Sequence, residues 1–153
     1  MIDGLFSSAF DGFPVVDELL VHFAEARLGK KFPASYVDLV LQQNGGYLKR
    51  NQSPTAVPNH SAIGYVPVDY IAGISRDEES IYGVLITPYM TSEWDLPQHL
   101  VLLCGDGHTW VALDYRNGNP EPGVTFLDVE MKQEIRLAES FGTFLEGLVE
   151  GAG

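Results

Sequence analysis

The sequence predicts an α+β fold: two N-terminal helices, a largely antiparallel central sheet and a C-terminal helix. Three observations carry this. Apolar residues recur at helical spacing near both ends, strand-like runs fill the middle, and two such runs flank a Gly105-Asp106-Gly107-His108 corner that forms a hairpin. Helices gathered at the ends with strands between them belong to α+β architectures rather than to alternating α/β ones.

In residues 15–28, Val16, Leu19, Leu20, Phe23 and Arg27 or Leu28 fall at helical intervals, with Asp17, Glu18 and Glu25 off the stripe and Gly29 as the stop. Pro33 suits a first helical position, Tyr36, Val37, Val40 and Leu41 make the second stripe, and Asn44-Gly45-Gly46 supplies a left-handed close. Residues 49–61, with two prolines and no apolar period, are expected to be an exposed loop. Residues 63–74 alternate apolar residues with breakers and predict one or two short edge strands. Asp77-Glu78-Glu79 suits a helix start running through Tyr82 and Leu85. Pro88 then interrupts, and a shorter turn over 89–94 is expected with Thr87 as its cap.

The hairpin over residues 100–115 is the strongest local signal, because both glycines at its corner tolerate positive φ. Alternation puts Val111, Leu113 and Tyr115 on one face and Trp110, Ala112 and Asp114 on the other. A loop over 116–123, a strand over 124–130, a turn at 131–133 and a short strand over 134–137 follow. Ser140 then caps a helix whose Phe141, Phe144, Leu145 and Leu148 form one stripe.

At 153 residues the chain is expected to be one domain, large enough to fold without a metal or disulfide. Its one cysteine, Cys104, forms no internal disulfide and is compatible with a reducing cytoplasm. No signal-peptide pattern and no apolar run of membrane-spanning length is present, so a cytoplasmic location is expected. Of the formal charge of −12, residues 51–131 carry nine, eleven acids against Arg76 and Arg116. Such a field repels phosphate backbones and anionic lipid, so neither nucleic acid nor membrane is an expected partner, whereas a basic protein is. The plainer role for the acids is solubility.

Several arrangements bear on chemistry. Cys104 and His108 lie four positions apart, but a cysteine ending an apolar strand is usually a small buried hydrophobe, and Asp106 nearby does nothing to lower its pKa. No catalytic residue is assigned. Asp106, His108, His99 and His60 lack any metal-ligand spacing, so no metal and no cofactor are expected. Asp128 and Glu130, placed on one strand face, are taken as solvated acids rather than as a glycosidase pair. Asp106 suits the turn itself, bonding amides two residues on, with His108 orienting that turn. The residues expected on a partner-binding face are Asp77, Glu78, Glu79, Glu93, Asp95, Asp106 and Asp114, with Trp94 as an aromatic anchor. Carboxylates steer a basic partner while one or two buried aromatics supply affinity. Trp110 is read as core.

The sequence resembles the family named for the yeast cell-wall regulator Smi1/Knr4, the SUKH superfamily, in three places. The first is the stretch from Phe32-Pro33 through Tyr36 to Asn44-Gly45-Gly46, similar to the family's Leu-Pro, Tyr, Asn-Gly-Gly signature with Phe32 in place of the usual Leu. The second runs from Glu93-Trp94-Asp95-Leu96-Pro97 through Gly105-Asp106-Gly107-His108-Thr109-Trp110 to Leu113-Asp114-Tyr115-Arg116, and is similar to the family's bacterial branch. The third is Leu137 to Phe141 with Phe144-Leu145. The resemblance implies helices on a largely antiparallel sheet, no shared catalytic apparatus, and a bacterial immunity protein that binds and neutralises a cognate toxin, often a nuclease. The alternative it implies is a regulatory or scaffold module without toxin neutralisation.

Overall fold

The computed structural model describes residues 2–151. β1 (Phe6–Ser8) precedes α1 (Glu18–Leu28) and α2 (Ala34–Gln42). Four short strands follow: β2 (Gly46–Leu48), β3 (Gln52–Pro54), β4 (Tyr65–Pro67) and β5 (Tyr70–Ile71). A 3-10 turn at Val84–Ile86 runs into α3 (Thr87–Glu93). The chain then builds a meander of β6 (Leu100–Gly105), β7 (Thr109–Asp114), β8 (Gly123–Asp128) and β9 (Gln133–Ala138), and closes with α4 (Phe141–Gly147). The α+β class predicted above is the one observed.

The meander is antiparallel in the order β6-β7-β8-β9, and β1-β2-β5 and β3-β4 form two smaller antiparallel sheets. The Ala72 N–H donates to the Leu103 carbonyl (2.7 Å), which brings β5 against the β6 edge. Strand alternation sorts the meander's side chains onto two cores. Val111, Leu113, Val124 and Phe126 face the main core with residues of α1, α2 and α4, while Leu102, Trp110, Ala112 and Leu127 face a smaller core closed by Leu96 and Met90. A register shift between Leu102 and Cys104 turns both Leu103 and Cys104 toward the main core. Both faces of the hairpin are therefore covered.

The helices follow their local signals with some displacements. Asp17 caps α1 by accepting from the Leu20 N–H (2.9 Å), and Gly29 ends it in the left-handed conformation. The buried face is Leu20, Val21 and Ala24. Leu19, placed on the stripe by spacing, stands 74 % exposed, because the axis is rotated to seat Val21. Pro33 occupies the capping position one residue before α2, which leaves Tyr36 fully buried with its hydroxyl donating to the Ala72 carbonyl (2.7 Å). Ser140 caps α4 through the Thr143 N–H.

Four expectations change. Asn44 does not close α2, whose end at Gln43 is extended. Its side chain instead donates to the Pro14 and Ile74 carbonyls (both 2.8 Å) and accepts from the Ile74 N–H (2.7 Å), clamping three segments together. Gly45 and Gly46 follow at positive φ, and a Cβ on Gly45 would lie 2.5 Å from the Ile71 carbonyl. Within the stretch expected to be a loop, β3 pairs with β4 and buries Ser53. The Asp77 segment forms a turn rather than a helix, since Gly73 binds both the Tyr82 carbonyl and the Val84 N–H and holds the chain extended there. Thr87 caps nothing. Its hydroxyl donates to the Val84 carbonyl (2.7 Å) and accepts from the Leu102 N–H (3.0 Å), tying α3 to β6.

Candidate functional site

The turn end of the β6–β7 hairpin is a rigid corner. Asp106 Oδ1 accepts from the His108 N–H (3.0 Å), the Thr109 N–H (2.8 Å) and the Thr109 hydroxyl (3.2 Å), which holds the turn closed. Gly107 takes φ 101°, and its carbonyl accepts from the buried Trp110 indole N–H (3.1 Å). Gly105, by contrast, has no positive φ; it is required for space, because a Cβ there would lie 2.0 Å from the Trp110 ring. Trp110 is core.

A second element reaches the same corner. α3 ends with Asp95 in the left-handed region at φ 52°, and the Leu96 N–H donates to the Thr91 carbonyl (2.9 Å), a helix close that an aspartate tolerates better than most side chains. That close sets Trp94 edge-on to His108, ring centroids 5.6 Å apart, and against Gly107. The His108 imidazole lies 3.2 Å from Glu130, which comes in on the turn after β8. Trp94, Glu93, Asp95, Asp106, His108 and Glu130 are all exposed here, Trp94 by 37 %.

Beside the corner lies a cleft of about 310 Å³ between residues 61–70 and the hairpin, with Asp69 and Tyr70 on one wall and Asp106, Trp110 and Cys104 on the other. Burial pushes the Cys104 thiol up to about 12, and the Asp69 carboxylate adds to the effect. Such a thiol stays protonated and is no nucleophile at neutral pH. The Tyr70 hydroxyl is likewise raised, mainly by burial, and is bonded to the Gly105 backbone.

The other expected site residues scatter. Asp77, Glu78 and Glu79 lie exposed near α1: Glu78 pairs with Arg27, Asp77 accepts from the Glu79 N–H (3.0 Å) and Arg76 sits over the Phe23 ring. Asp114 does not belong on a surface at all. It is 3 % exposed and accepts from Arg116 (2.8 and 3.0 Å) and from the Thr125 hydroxyl (2.9 Å), with Arg136 3.6 Å away. Burial opposes its charged form, but the Arg116 guanidinium and N–H and the Thr125 hydroxyl outweigh that and hold the carboxyl at about 2. Asp128 is buried and accepts from the Met131 N–H (3.0 Å), so it shares no open face with Glu130.

His99 contacts Lys30 (2.8 Å) rather than the corner, and among the described residues no three His, Cys, Asp or Glu side chains are placed to hold a metal ion. Among them, too, no helix is long and apolar enough to cross a membrane. Asp69 and Tyr70 are the site residues that sequence reasoning passed over, and Glu130, taken there as a solvated acid, meets His108 at the corner. The signal for Asp69 was present in Val66-Pro67-Val68-Asp69, where two buried valines alternate with outward residues.

Fold and site together define an α+β domain whose helix-covered sheet presents an acidic and aromatic corner at one end. A SUKH family model described as SMI1-KNR4 cell-wall matches residues 18–145, and the chain belongs to that family. No curated protein matches the chain.

Proposed function

We propose that the protein is a bacterial immunity protein that acts in the cytoplasm of the producing cell, performs no reaction and neutralises a basic toxin, a nuclease, by binding it. The observation that carries this is the corner. An exposed indole is locked against His108 and Gly107, with the Glu93, Asp95 and Asp106 carboxylates exposed around it, in a chain of net charge −12. The carboxylates draw in a cationic surface while the tryptophan supplies a rigid contact, and the bound protein blocks the toxin's own substrate by bulk and by charge. Asp77, Glu78 and Glu79 add to the attracting field, and Asp114 takes no part.

The test is to mix the purified protein with the product of any toxin gene found beside its own and follow complex formation and toxin activity. A complex that loses toxin activity, and that Trp94→Ala weakens, is expected. Capture of several unrelated regulatory proteins with no effect on a toxin would overturn this in favour of a scaffold.

A further inference from the structure

We infer that the ridge Phe13-Pro14-Val15, with Leu41 beside it, docks the apolar face of an amphipathic basic segment of a protein partner. This goes beyond binding at the Trp94 corner and holds whether or not that partner is a toxin. Val15 is 90 % exposed and Leu41 49 %, while Pro14 is exposed and Phe13 half-buried. They form one surface, because Phe13, Pro14, Val15 and Leu41 line a common hollow of about 170 Å³ that has no charged side chain in its lining. Single apolar side chains on a surface are ordinary, but several around one hollow mark a contact site. The ridge is also held in place: Asn44 donates to the Pro14 carbonyl (2.8 Å), and Phe13 packs on the buried Phe10 ring, centroids 5.1 Å apart. A preformed hollow of this kind binds with little ordering cost.

Charge decides what covers it. A second hollow, of about 340 Å³, shares Pro14 and Val15 with the first and adds Asp17, Asp77 and Arg76. Asp11 lies two residues before Phe13, and Asp38 lies one turn before Leu41 on α2. These four exposed carboxylates border the ridge against Arg76, whose guanidinium lies over the Phe23 ring (4.4 Å). Burial of the apolar centre supplies affinity, and the acidic rim selects basic side chains flanking the partner's apolar ones. Two copies of this chain meeting through the same ridge would bring their carboxylates together, which disfavours self-association. The occupant is therefore a cationic segment of a different protein.

The experiment titrates three peptides into the ¹⁵N-labelled protein: a leucine and lysine sequence of about 14 residues patterned as an amphipathic helix, the same sequence with glutamate for lysine, and oligo-lysine of equal charge. The leucine-lysine peptide should move the amide signals of Phe13, Val15, Leu41 and Asn44, and the other two should bind at least about tenfold more weakly. Val15→Ser combined with Leu41→Ser should weaken the first peptide by about tenfold. Ile63→Ser, which removes a comparably exposed apolar side chain from the loop between β3 and β4, should change it by less than about twofold. The wild-type shifts locate the site whatever the stability of a variant. Equal effects of the double and the Ile63 substitutions, shifts confined to the Trp94 corner, or a glutamate peptide that binds as tightly would overturn the inference. So would a dimer in sedimentation that the double variant abolishes, since a second copy would then be the occupant.

Discussion

Tyr70 and Gly105 exchange two hydrogen bonds, the tyrosine hydroxyl donating to the glycine carbonyl and accepting from its N–H, each at 3.1 Å. The pair fastens β5 to the end of β6 just where the hairpin turns, and so sets the width of the cleft. Tyr70→Phe keeps the ring but leaves a backbone N–H and carbonyl short of a partner, which should cost about 1–3 kcal/mol in urea unfolding. Unchanged stability would mean that the hydroxyl is replaceable by solvent and that the cleft is not fixed from this side.

Asn44 joins Pro14 and Ile74 to the end of α2 by three hydrogen bonds through one amide. Asn44→Ala should destabilise the protein by about 2–3 kcal/mol, more than a surface substitution and without loss of helix content, since α2 ends independently of it. Circular dichroism during thermal unfolding reads both quantities. A change below about 0.5 kcal/mol would show that the clamp is not structural.

Asp114 links stability to acid. Its carboxyl sits at about 2 in the folded protein, against about 4 when unfolded, so its contribution is complete above pH 4 and is lost as pH falls through 2. The stabilisation at neutral pH is about 2.5 kcal/mol by that shift. Asp114→Ala, which removes the buried acceptor shared by Arg116, Arg136 and Thr125 while Glu134 still pairs with Arg116, should cost about 2–3 kcal/mol at pH 7 and flatten the stability profile between pH 4 and 2. A variant as stable as wild type at pH 7 would return Asp114 to the surface role its sequence position invited.

Cys104 is buried, with its thiol raised to about 12. At pH 8 it should resist iodoacetamide in the native protein and react at once in denaturant, at a rate set by opening of the fold. Rapid labelling of the native protein, read by intact mass, would contradict the packing described for β6.

Much of this fold was legible because its signals are local. The Asp17 and Ser140 side chains and Gly29 act within one helical turn of their own positions, and the hairpin's two faces follow from alternation alone. What escaped depends on partners distant in sequence. Thr87 looks like a cap until Leu102, fifteen residues on, takes its hydroxyl. Asp114 looks like a surface acid until β8 and β9 bring Thr125 and Arg136 to it. The site divides in the same way: Trp94 and Asp106 stand out by residue type, while Asp69 and Glu130 acquire meaning only when loops and strand ends converge.

The central claim, that exposed carboxylates guide a cationic partner onto the Trp94 corner, is tested most directly by stopped-flow association with the toxin partner proposed above across a salt series. From about 20 to 500 mM sodium chloride the association rate should fall by at least about tenfold, with dissociation nearly constant in wild type and faster in Trp94→Ala. An association rate indifferent to salt, or a Trp94→Ala complex that dissociates as slowly as wild type, would contradict it.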